Sequence, residues 1–398
     1  MFNQLQGVAP DALLKLMVQY TADSCPTKVD LGVGVYKDNN GHTPVMQAVS
    51  AAERIILEQQ QTKTYIGPAG SALYCELSSH LLFGRDHRVI KDKRLSIAQT
   101  PGGCGALRMA AEFISSCSKG ATIWVSTPTW VNHIPLLQGA GLQLKEYPYY
   151  NTDTQSVDFE NMLQALQTAE EGDLVLLHGC CHNPSGADLS KEQWQQVSGL
   201  ILEKNLVPFI DIAYQGLGDG LEEDAYGLRL MADTVPEMIV ASSCSKNFGI
   251  YRERTGTVIV ISNSAQRAKI SSSQLFSTIR AHYSMPPAHG AAIVETILSS
   301  STLNAQWLAE LKIMRERLTN SRRALVDGIK ATGADRDFEF INAEKGMFSF
   351  LSISSEQVDQ LRDQYSIYVA GSSRINIAGI ASHNVEYVAN AIAEVIKS

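Results

Sequence analysis

The sequence lacks the features that mark membrane, exported and nucleic-acid-binding proteins. No apolar run approaches the ~20 residues that cross a bilayer, and the opening residues MFNQ carry none of the positive charge of a signal peptide. Basic runs are also missing, and 33 Lys and Arg against 41 Asp and Glu give a net charge of −8. We therefore expect neither a membrane nor a nucleic-acid partner, and we predict a cytoplasmic location.

Cysteine is scarce, and its spacing matches no disulfide or zinc framework. The seven cysteines include no CxxC pair, and a chain of 398 residues that is 44% hydrophobic can bury a core without covalent cross-links. We predict reduced thiols in a globular protein. The length favours two domains over three.

Short β-branched runs alternate with amphipathic stretches between residues 94 and 262, which is typical of a doubly wound α/β domain with a mostly parallel sheet. The predicted strands are Leu95–Ala98, Thr122–Val125, Leu142–Tyr147, Asp173–Leu177, Val207–Ile212, Met238–Ala241 and Thr257–Ile261. The helices predicted between them are Leu107–Ser115, Phe159–Leu166 and Glu192–Glu203.

The rest of the chain predicts a smaller α+β domain. Its predicted elements are helices near Asp11–Tyr20, Leu303–Ile329 and Glu356–Tyr365, extended segments at Val29–Val35, Phe338–Ile341, Met347–Ile353 and Arg374–Ala378, and a closing helix from Asn384. We therefore predict a large domain over residues 44–313 and a small domain made of residues 1–43 and 314–398.

Ligands of open α/β sheets bind beyond the carboxyl ends of the strands, and four predicted strands are followed there by polar or glycine-rich residues. The first is the turn TPGGCGALR, from Thr100 to Arg108. Its backbone N–H groups and the helix that follows suit a phosphate. The spacing departs from the GxGxxG dinucleotide fingerprint, and a tight turn without any ligand also requires glycine.

Asp211 and Lys246 form the most informative pair. Asp211 lies inside the apolar strand FIDIAY, where an ionised carboxylate is unfavourable without a positive partner. Lys246 follows the next predicted strand in SCSKNFGIYRER, which also supplies Ser243, Ser245 and Arg254 as phosphate donors. A lysine that forms a Schiff base and a carboxylate that holds a protonated pyridine nitrogen are the two groups that pyridoxal phosphate requires. Taken alone, a lysine after a strand is more often a surface lysine, and Asp211 is what favours the functional interpretation.

The segment HGCCHNPSG, from His178 to Gly186, also allows a metal site. His178, Cys180 and His182 would share one face of a strand, but alternate residues of one strand rarely converge on an ion, and no second ligand pair accompanies them. We therefore predict no metal. Asn183-Pro184 indicates a sharp turn that presents the Asn183 amide.

These motifs together resemble the class I aspartate and aromatic aminotransferases, which are pyridoxal phosphate enzymes of fold type I. The likeness runs nearly end to end and rests on eight ordered motifs, which are LGVGVYKD (from Leu31), TPGGCGALR, CCHNPSG, DIAYQG, SKNFG, SMPPAHG, GMFSF and SRINIAG. The resemblance implies a homodimer with shared active sites and no nucleic-acid or membrane partner. It implies that amino acids and 2-oxo acids are the substrates.

The resemblance also implies a role for each matching residue. Lys246 would bind the cofactor and transfer the substrate proton, Asp211 would hold the pyridinium with His133 behind it, and Tyr214 would contact the cofactor's phenolic oxygen. The other implied cofactor residues are Trp130, Asn183, Gly103, Cys104, Ser243, Ser245, Arg254 and, from a second subunit, Tyr65. The implied substrate residues are Arg374, Gly34, Phe348, Trp130, Asn183 and, from the second subunit, Arg280. The three aromatic residues Trp130, Tyr214 and Phe348 could otherwise be core residues, and Arg280 a surface ion pair.

Three positions depart from the family pattern. Cys104 stands where a hydroxyl residue is usual beside the phosphate, and Met285 and Thr64 are also atypical. Val35, Lys37 and Thr43 resemble the aspartate-preferring subgroup. We therefore predict transamination between L-aspartate or L-glutamate and 2-oxoglutarate or oxaloacetate by a ping-pong mechanism, with aromatic or dual specificity as the alternative.

Two functions of other classes remain as alternatives. A nicotinamide-dependent dehydrogenase would fit the α/β pattern and the glycine-rich turn, but it leaves Asp211 and Lys246 unexplained. A regulator that binds pyridoxal phosphate usually carries an added DNA-binding domain, for which the acidic chain has no residues left over.

Overall fold

The structure, a computed structural model, describes residues 2–8 and 11–397. The strands are β1 (Val29–Asp30), β2 (Leu95–Pro101), β3 (Thr122–Thr127), β4 (Gln143–Pro148), β5 (Tyr150–Asn151), β6 (Ser156–Val157), β7 (Leu174–His178), β8 (Val207–Ile212), β9 (Met238–Ser243), β10 (Thr255–Ile261), β11 (Phe348–Phe350), β12 (Ile367–Tyr368) and β13 (Arg374–Asn376). Short 3₁₀ helices cover Phe2–Gln4 and Ile377–Gly379.

The α-helices are α1 (Ala12–Ala22), α2 (Gln47–Gln59), α3 (Ala72–Phe83), α4 (Arg88–Lys91), α5 (Gly102–Cys117), α6 (His133–Gly139), α7 (Phe159–Leu166), α8 (Lys191–Glu203), α9 (Tyr226–Thr234), α10 (Ala265–His282), α11 (His289–Ser299), α12 (Ser301–Ala331), α13 (Phe340–Ala343), α14 (Ser355–Tyr365) and α15 (Val385–Ile396). None of these helices in the described part of the chain is long and apolar enough to cross a membrane.

The chain divides into two compact units, and the first of them is Pro44–Glu316. Residues up to Thr43 and from Arg317 onward make up the second, which we call the terminal unit. The boundary between Glu316 and Arg317 lies inside α12. The sequence-based prediction had placed it in the same helix, after residue 313.

Within the part of Pro44–Glu316 that the structure describes, one seven-stranded sheet has the order β2-β10-β9-β8-β7-β3-β4. Its neighbours are parallel from β9 to β4, whereas β10 is antiparallel to both β9 and β2. Helix α5 covers β9 and β10, and apolar residues such as Leu107 and Ile114 pack in the core with Val258. The sheet is therefore mostly parallel, as predicted, with β10 reversed.

The parallel pairing brings the functional strand ends together. His178, the last residue of β7, lies opposite Asp211 of β8, and Asp211 lies opposite Ala241 of β9. Lys246 follows β9 after a loop of two residues, Cys244 and Ser245. Side chains far apart in sequence thus share one edge of the sheet.

In the terminal unit, β1 pairs in parallel with β12 and β11 pairs antiparallel with β13. The prediction of an extended segment at Phe338–Ile341 is wrong, because residues from Phe340 form the short helix α13. Phe338 and Ile341 are both buried. Two apolar residues three positions apart occur on one face of a helical turn and also in a short buried strand, so this pattern alone does not distinguish the two. Helix α1 begins where predicted, since the Asp11 carboxylate accepts the N–H groups of Leu13 and Leu14.

Candidate active site

Lys246 occupies a place that disfavours a charged ammonium group. Burial lowers its pKa to about 8; Asp211 opposes the change and Arg254 adds to it. Its Nζ lies 4.7 Å from the centroid of the Tyr214 ring. At pH 7 about a tenth of Lys246 is therefore neutral and nucleophilic, far more than for an exposed lysine.

Asp211 remains ionised in spite of its surroundings. Burial alone would raise its pKa, but a hydrogen bond and electrostatic attraction from His133, with smaller contributions from His178 and then Lys246, bring the pKa below the usual value. The Asp211 Oδ2 and His133 Nε2 atoms are 3.1 Å apart. The buried strand β8 thus presents a negative charge that can face a cation.

The glycine-rich turn and the residues after β9 form an anion cradle, which we define as Gly102, Gly103, Ser243, Ser245 and Arg254. Gly102 has φ +72°, and a Cβ there would lie 2.5 Å from Arg254 Nη2. A Cβ on Gly103 would lie 2.9 Å from Ser243 Cβ. Arg254 Nη1 donates to Ser245 Oγ over 3.4 Å. Close backbone approach at the start of α5, next to a guanidinium, suits a phosphate.

Cys104, which follows Gly103, and Trp130 are both partly buried against the core of the larger unit, Pro44–Glu316. The Cys104 Sγ accepts a hydrogen bond from Asn132 Nδ2 over 3.5 Å, so its thiol is engaged by a neighbouring side chain. The Trp130 ring meets the His133 ring edge-on, with centroids 5.3 Å apart. Trp130 therefore lies beside the pair formed by His133 and Asp211.

The turn that carries Asn183 is held by the half-buried carboxylate of Asp188. Asp188 accepts the backbone N–H groups of Cys181 and His182 over 2.7 and 2.8 Å. The Asn183-Pro184 peptide bond is cis, and Asn183 is buried. The predicted sharp turn is therefore present, with the amide of Asn183 on an ordered segment.

The residues that the structure places at metal-ligand spacing differ from the set considered in the sequence, which was His178, Cys180 and His182. In the described residues, a group with metal-ligand spacing combines Cys180 and Cys181 with Asp224, without either histidine. Both Asp224 oxygens are occupied, because they accept the N–H groups of Gly216, Gly218, Asp219 and Gly220. That carboxylate closes a loop and has little capacity left for an ion.

The structure brings Gly34, Phe348 and Arg374 together in the terminal unit. Arg374 is buried, and its guanidinium carbon lies 4.3 Å from the centroid of the Phe348 ring. Its Nη2 donates to the Gly32 carbonyl over 2.7 Å. A Cβ on Gly34 would lie 3.0 Å from Phe348 Cζ. The pairing of β11 with β13 holds this group in place.

Tyr65 and Arg280 lie apart from the buried residues. Tyr65 is 89% exposed. Arg280, near the end of α10, is exposed as well, and its Nη1 donates to Ser284 Oγ. Both side chains lie at the surface of this chain.

Sequence reasoning missed Thr129 and misjudged His178. The Thr129 Oγ1 lies 2.8 Å from His133 Nδ1 and 3.1 Å from His178 Nε2. The spacing of Thr129 and His133, four residues apart in TPTWVNH, was the available signal for this contact. His178 stands at the end of a strand that pairs with the strand of Asp211, which the predicted sheet already implied.

Comparison with known proteins agrees with this arrangement. Residues 26–392 match the family model described as aminotransferase class I and II. The chain is 45% identical to the aspartate aminotransferase of Salmonella typhi, covering 100% of both chains. It is 43% identical to the aromatic-amino-acid aminotransferase of Pseudomonas aeruginosa, covering 99% of this chain and 98% of the relative.

A solved structure shows the same fold. The aromatic-amino-acid aminotransferase of Burkholderia pseudomallei, covalently bound to pyridoxal phosphate, superposes with a TM-score of 0.98 at 43% identity and 99% coverage of each chain. The family model, these relatives and the fold agree with the resemblance seen in the sequence motifs. This chain belongs to the class I and II aminotransferase family.

Proposed function

We propose that this protein is a pyridoxal-phosphate-dependent aminotransferase that moves an amino group between L-aspartate or L-glutamate and 2-oxoglutarate or oxaloacetate in a ping-pong cycle. One observation carries the proposal. A lysine whose pKa is lowered to about 8, an ionised aspartate and an anion cradle lie on adjoining elements of one sheet edge. The names of the relatives from Salmonella typhi and Pseudomonas aeruginosa support transamination and give no support to the dehydrogenase alternative.

The residues at this edge fit pyridoxal phosphate in the chemistry of each donor. When bound, the cofactor supplies an aldehyde that takes up an amino group and a protonated ring that withdraws electrons. Lys246 would bind the aldehyde carbon, Asp211 the ring nitrogen, and the anion cradle with Cys104 the phosphate. Trp130 would stack on the ring, while Asn183 and Tyr214 would donate to the phenolic oxygen.

Lys246 is the group that we assign to proton transfer. Its Nζ would take the proton from the substrate Cα and later return one. A pKa of about 8 leaves the amine partly neutral at physiological pH, so that it can accept that proton. Asp211 stays negative throughout, because His133 donates to its Oδ2.

The substrate's two carboxylates require two cationic groups. We assign Arg374 to the α-carboxylate, with Gly34 and Phe348 beside it, and Arg280 to the side-chain carboxylate. Guanidinium groups bind carboxylates with two parallel hydrogen bonds. Aromatic or dual specificity is the second candidate, because an aromatic-amino-acid aminotransferase is nearly as similar to this chain as the aspartate enzyme.

We further propose a cytoplasmic homodimer in which Tyr65 and Arg280 complete the active site of the partner subunit. Their exposure on a single chain supports this assignment, and the seven free cysteines support a reducing compartment. Separately inactive Lys246→Ala and Arg280→Ala subunits should regain one working site when they are mixed. Hybrid dimers without any recovery would refute the shared site.

The proposed activity is tested by the near-visible absorption of the purified holoenzyme without any oxo acid. Addition of L-aspartate should convert the cofactor's visible band to that of its amino form. L-phenylalanine, added to a fresh sample, should do so far more slowly, and equal conversion would establish dual specificity. A protein that shows no cofactor band after incubation with pyridoxal phosphate would refute the proposed function.

A further inference from the structure

The side chain of Asn376, at the end of β13, holds the segment that contains Gly34. Asn376 is fully buried. Its Nδ2 lies 2.6 Å from the Val33 carbonyl oxygen and 2.7 Å from the Val35 carbonyl oxygen. These carbonyls belong to the residues on either side of Gly34, so one amide group brackets this glycine. All four residues lie in the terminal unit.

The chemistry of these contacts fixes the orientation of the Asn376 amide. A backbone carbonyl only accepts hydrogen bonds, so the group that faces Val33 and Val35 must be the NH₂ group. The other end of the amide, Oδ1, accepts the Ala378 N–H over 3.0 Å. Both hydrogens of the NH₂ group and the oxygen are therefore engaged, and a reversed amide would lose all three hydrogen bonds.

The hydrogen bond to Val33 also sets the direction of the Gly34 N–H group. The Val33 C=O and the Gly34 N–H belong to one peptide unit, and in a trans peptide these two groups point in opposite directions. Because the Val33 oxygen points at Asn376, the Gly34 N–H points away from it. The Val33 oxygen also accepts the Val35 N–H over 3.0 Å, which closes a three-residue turn centred on Gly34. Asn376 thus holds both the turn and the direction of its central N–H group.

The same strand holds the preceding peptide through Arg374. Arg374 and Asn376 are two residues apart in β13, so their side chains leave the same face of the strand. Arg374 Nη2 donates to the Gly32 oxygen over 2.7 Å, and the Asp30 carboxylate accepts the N–H groups of Gly32 and Val33. Two residues of one strand therefore fix this segment beside the guanidinium group that we assign to the substrate's α-carboxylate.

We propose that Asn376 is a positioning residue for substrate binding: its amide holds the Gly34 turn beside Arg374, where the backbone of Gly34 meets the α-carboxylate. The inference rests on the proposed function, in which Arg374 and Gly34 bind that carboxylate. Asn376 acts through Gly34 and does not itself touch the substrate. The turn requires glycine, because a Cβ there would lie 3.0 Å from Phe348 Cζ. Since glycine is also the most flexible residue, hydrogen bonds from a rigid strand are needed to fix it.

Two substitutions of Asn376 test this role in the full-length protein. Asn376→Asp keeps the shape and the acceptor for the Ala378 N–H. An ionised carboxylate has no hydrogen for Val33 or Val35, however, and a protonated one has a single hydrogen. Asn376→Ser introduces no charge and supplies one hydroxyl hydrogen in place of two. It covers the case in which Asn376→Asp does not fold.

Asn384→Asp is the matched control. Asn384 lies in the same unit, where its Oδ1 accepts the Ala381 N–H over 2.8 Å and its Nδ2 donates to the Gly379 oxygen over 3.0 Å. The same substitution there removes a comparable hydrogen bond at a different loop. The first readout is amide hydrogen exchange of the cofactor-free proteins, measured by mass spectrometry on a peptide that covers residues 31–36. The second is the kcat and the KM of the holoenzymes for L-aspartate.

We expect both Asn376 variants to exchange the amides of residues 31–36 about tenfold faster than the wild type, because the turn opens more often. The KM for L-aspartate should rise about tenfold while kcat stays within about threefold, since the lost interaction binds substrate and transition state alike. Asn384→Asp should leave KM and the exchange of residues 31–36 unchanged. Its own exchange should increase only near residues 379–384.

Three results would overturn the proposal. In the first, the folded Asn376 variants exchange residues 31–36 at the wild-type rate. In the second, exchange is faster but KM is unchanged, which would make Asn376 a residue of the fold alone. In the third, Asn384→Asp raises KM as much as Asn376→Asp does. A wild-type protein without a cofactor band would instead refute the proposed function and, with it, the substrate-binding part of this inference. The exchange rates would still decide whether Asn376 holds the Gly34 turn.

Discussion

His178 and His182, four residues apart in the sequence, belong to hydrogen-bond chains that end on different groups. The first chain, which we call the Asp211 chain, runs from His178 through Thr129 and His133 to the Asp211 carboxylate. The second chain, which we call the His182 chain, runs from Ser185 through His182 and Ser126 to Tyr147, with contacts of 2.8 Å and 3.2 Å at the two nitrogens of His182. It ends on a backbone carbonyl, because the Tyr147 hydroxyl donates to the Leu176 oxygen over 2.7 Å.

The end group decides what each chain can do. A carbonyl is neutral and cannot titrate, so the His182 chain joins strands and loops without carrying charge. The His182 ring also stacks on Tyr149, with centroids 4.0 Å apart, and burial holds its pKa well below the usual range. A carboxylate that faces a cofactor, by contrast, couples the protons of the Asp211 chain to the chemistry of the site.

The largest effect is expected when the charged end of the Asp211 chain is neutralised. Asp211→Asn keeps the shape and an acceptor for His133 but loses the negative charge, so kcat/KM should fall about 100- to 1,000-fold. Stopped-flow measurement of the half-reaction with L-aspartate checks this. A loss smaller than tenfold would show that the charge is not what separates the two chains.

Removal of the amine that faces Asp211 should stabilise the cofactor-free protein. The pKa of Lys246 is about 8 in the folded protein against 10.5 for an unperturbed lysine. Between pH 8 and pH 10.5 the unfolded chain therefore binds more protons than the folded protein. The unfolding free energy therefore rises with pH across pH 8 to 10.5, and the full penalty applies below pH 8. Lys246→Met should be more stable at pH 7 by about 3 kcal/mol.

Urea unfolding of the cofactor-free proteins at several pH values checks this prediction. The difference between Lys246→Met and the wild type should shrink to near zero above pH 10.5. Lys191→Met, at the exposed start of α8, serves as a control that should show no such trend. A stability difference independent of pH would mean that side-chain packing, and not charge burial, explains the result.

His182→Phe should affect stability more than chemistry. Phenylalanine can keep the stack on Tyr149 but loses the contacts with Ser185 and Ser126, which should lower the unfolding free energy by about 2 kcal/mol. The kcat of the remaining folded holoenzyme should stay within about threefold, because the Asp211 chain is intact. A loss of kcat without a loss of stability would show that the His182 chain, like the Asp211 chain, acts on the reaction and not on the fold.

The smallest effect is expected from Ser126→Ala. The substitution removes the buried hydroxyl that contacts both His182 and Tyr147. Its loss should lower the unfolding free energy by about 1 kcal/mol. Thermal unfolding at matched pH measures it. A cost as large as that of His182→Phe would show that Ser126 supports more of the structure than its two contacts suggest.

The sheet was predictable because its strands are apolar runs between turn residues. The prediction of Val207–Ile212 as a strand and of Phe159–Leu166 as a helix matches the observed bounds. The Phe338–Ile341 prediction failed because four residues are too few to distinguish a strand from a helical turn. The antiparallel direction of β10 was not predicted, since hydrophobic patterning does not encode strand direction.

The candidate site was predictable where a residue type is unusual for its surroundings. Asp211 in an apolar strand and Lys246 after another strand stood out for that reason. Thr129 and His178 did not, because a threonine and a histidine are ordinary in a loop or at a strand end. The contact between Thr129 and His178, which links His178 to His133, exists only when β3 and β7 are paired in the sheet.

The sequence by itself determined the elements, the family and the identity of the reactive groups, because these depend on local patterning and on residue chemistry. Only the tertiary structure decided which histidine leads to Asp211 and which to a backbone carbonyl. It also decided that Gly102 and Gly103 approach Arg254 and Ser243 closely enough to form an anion cradle. Hydrogen-bond partners and pKa shifts depend on distances between segments remote in sequence, and those distances are set by the packing of the sheet.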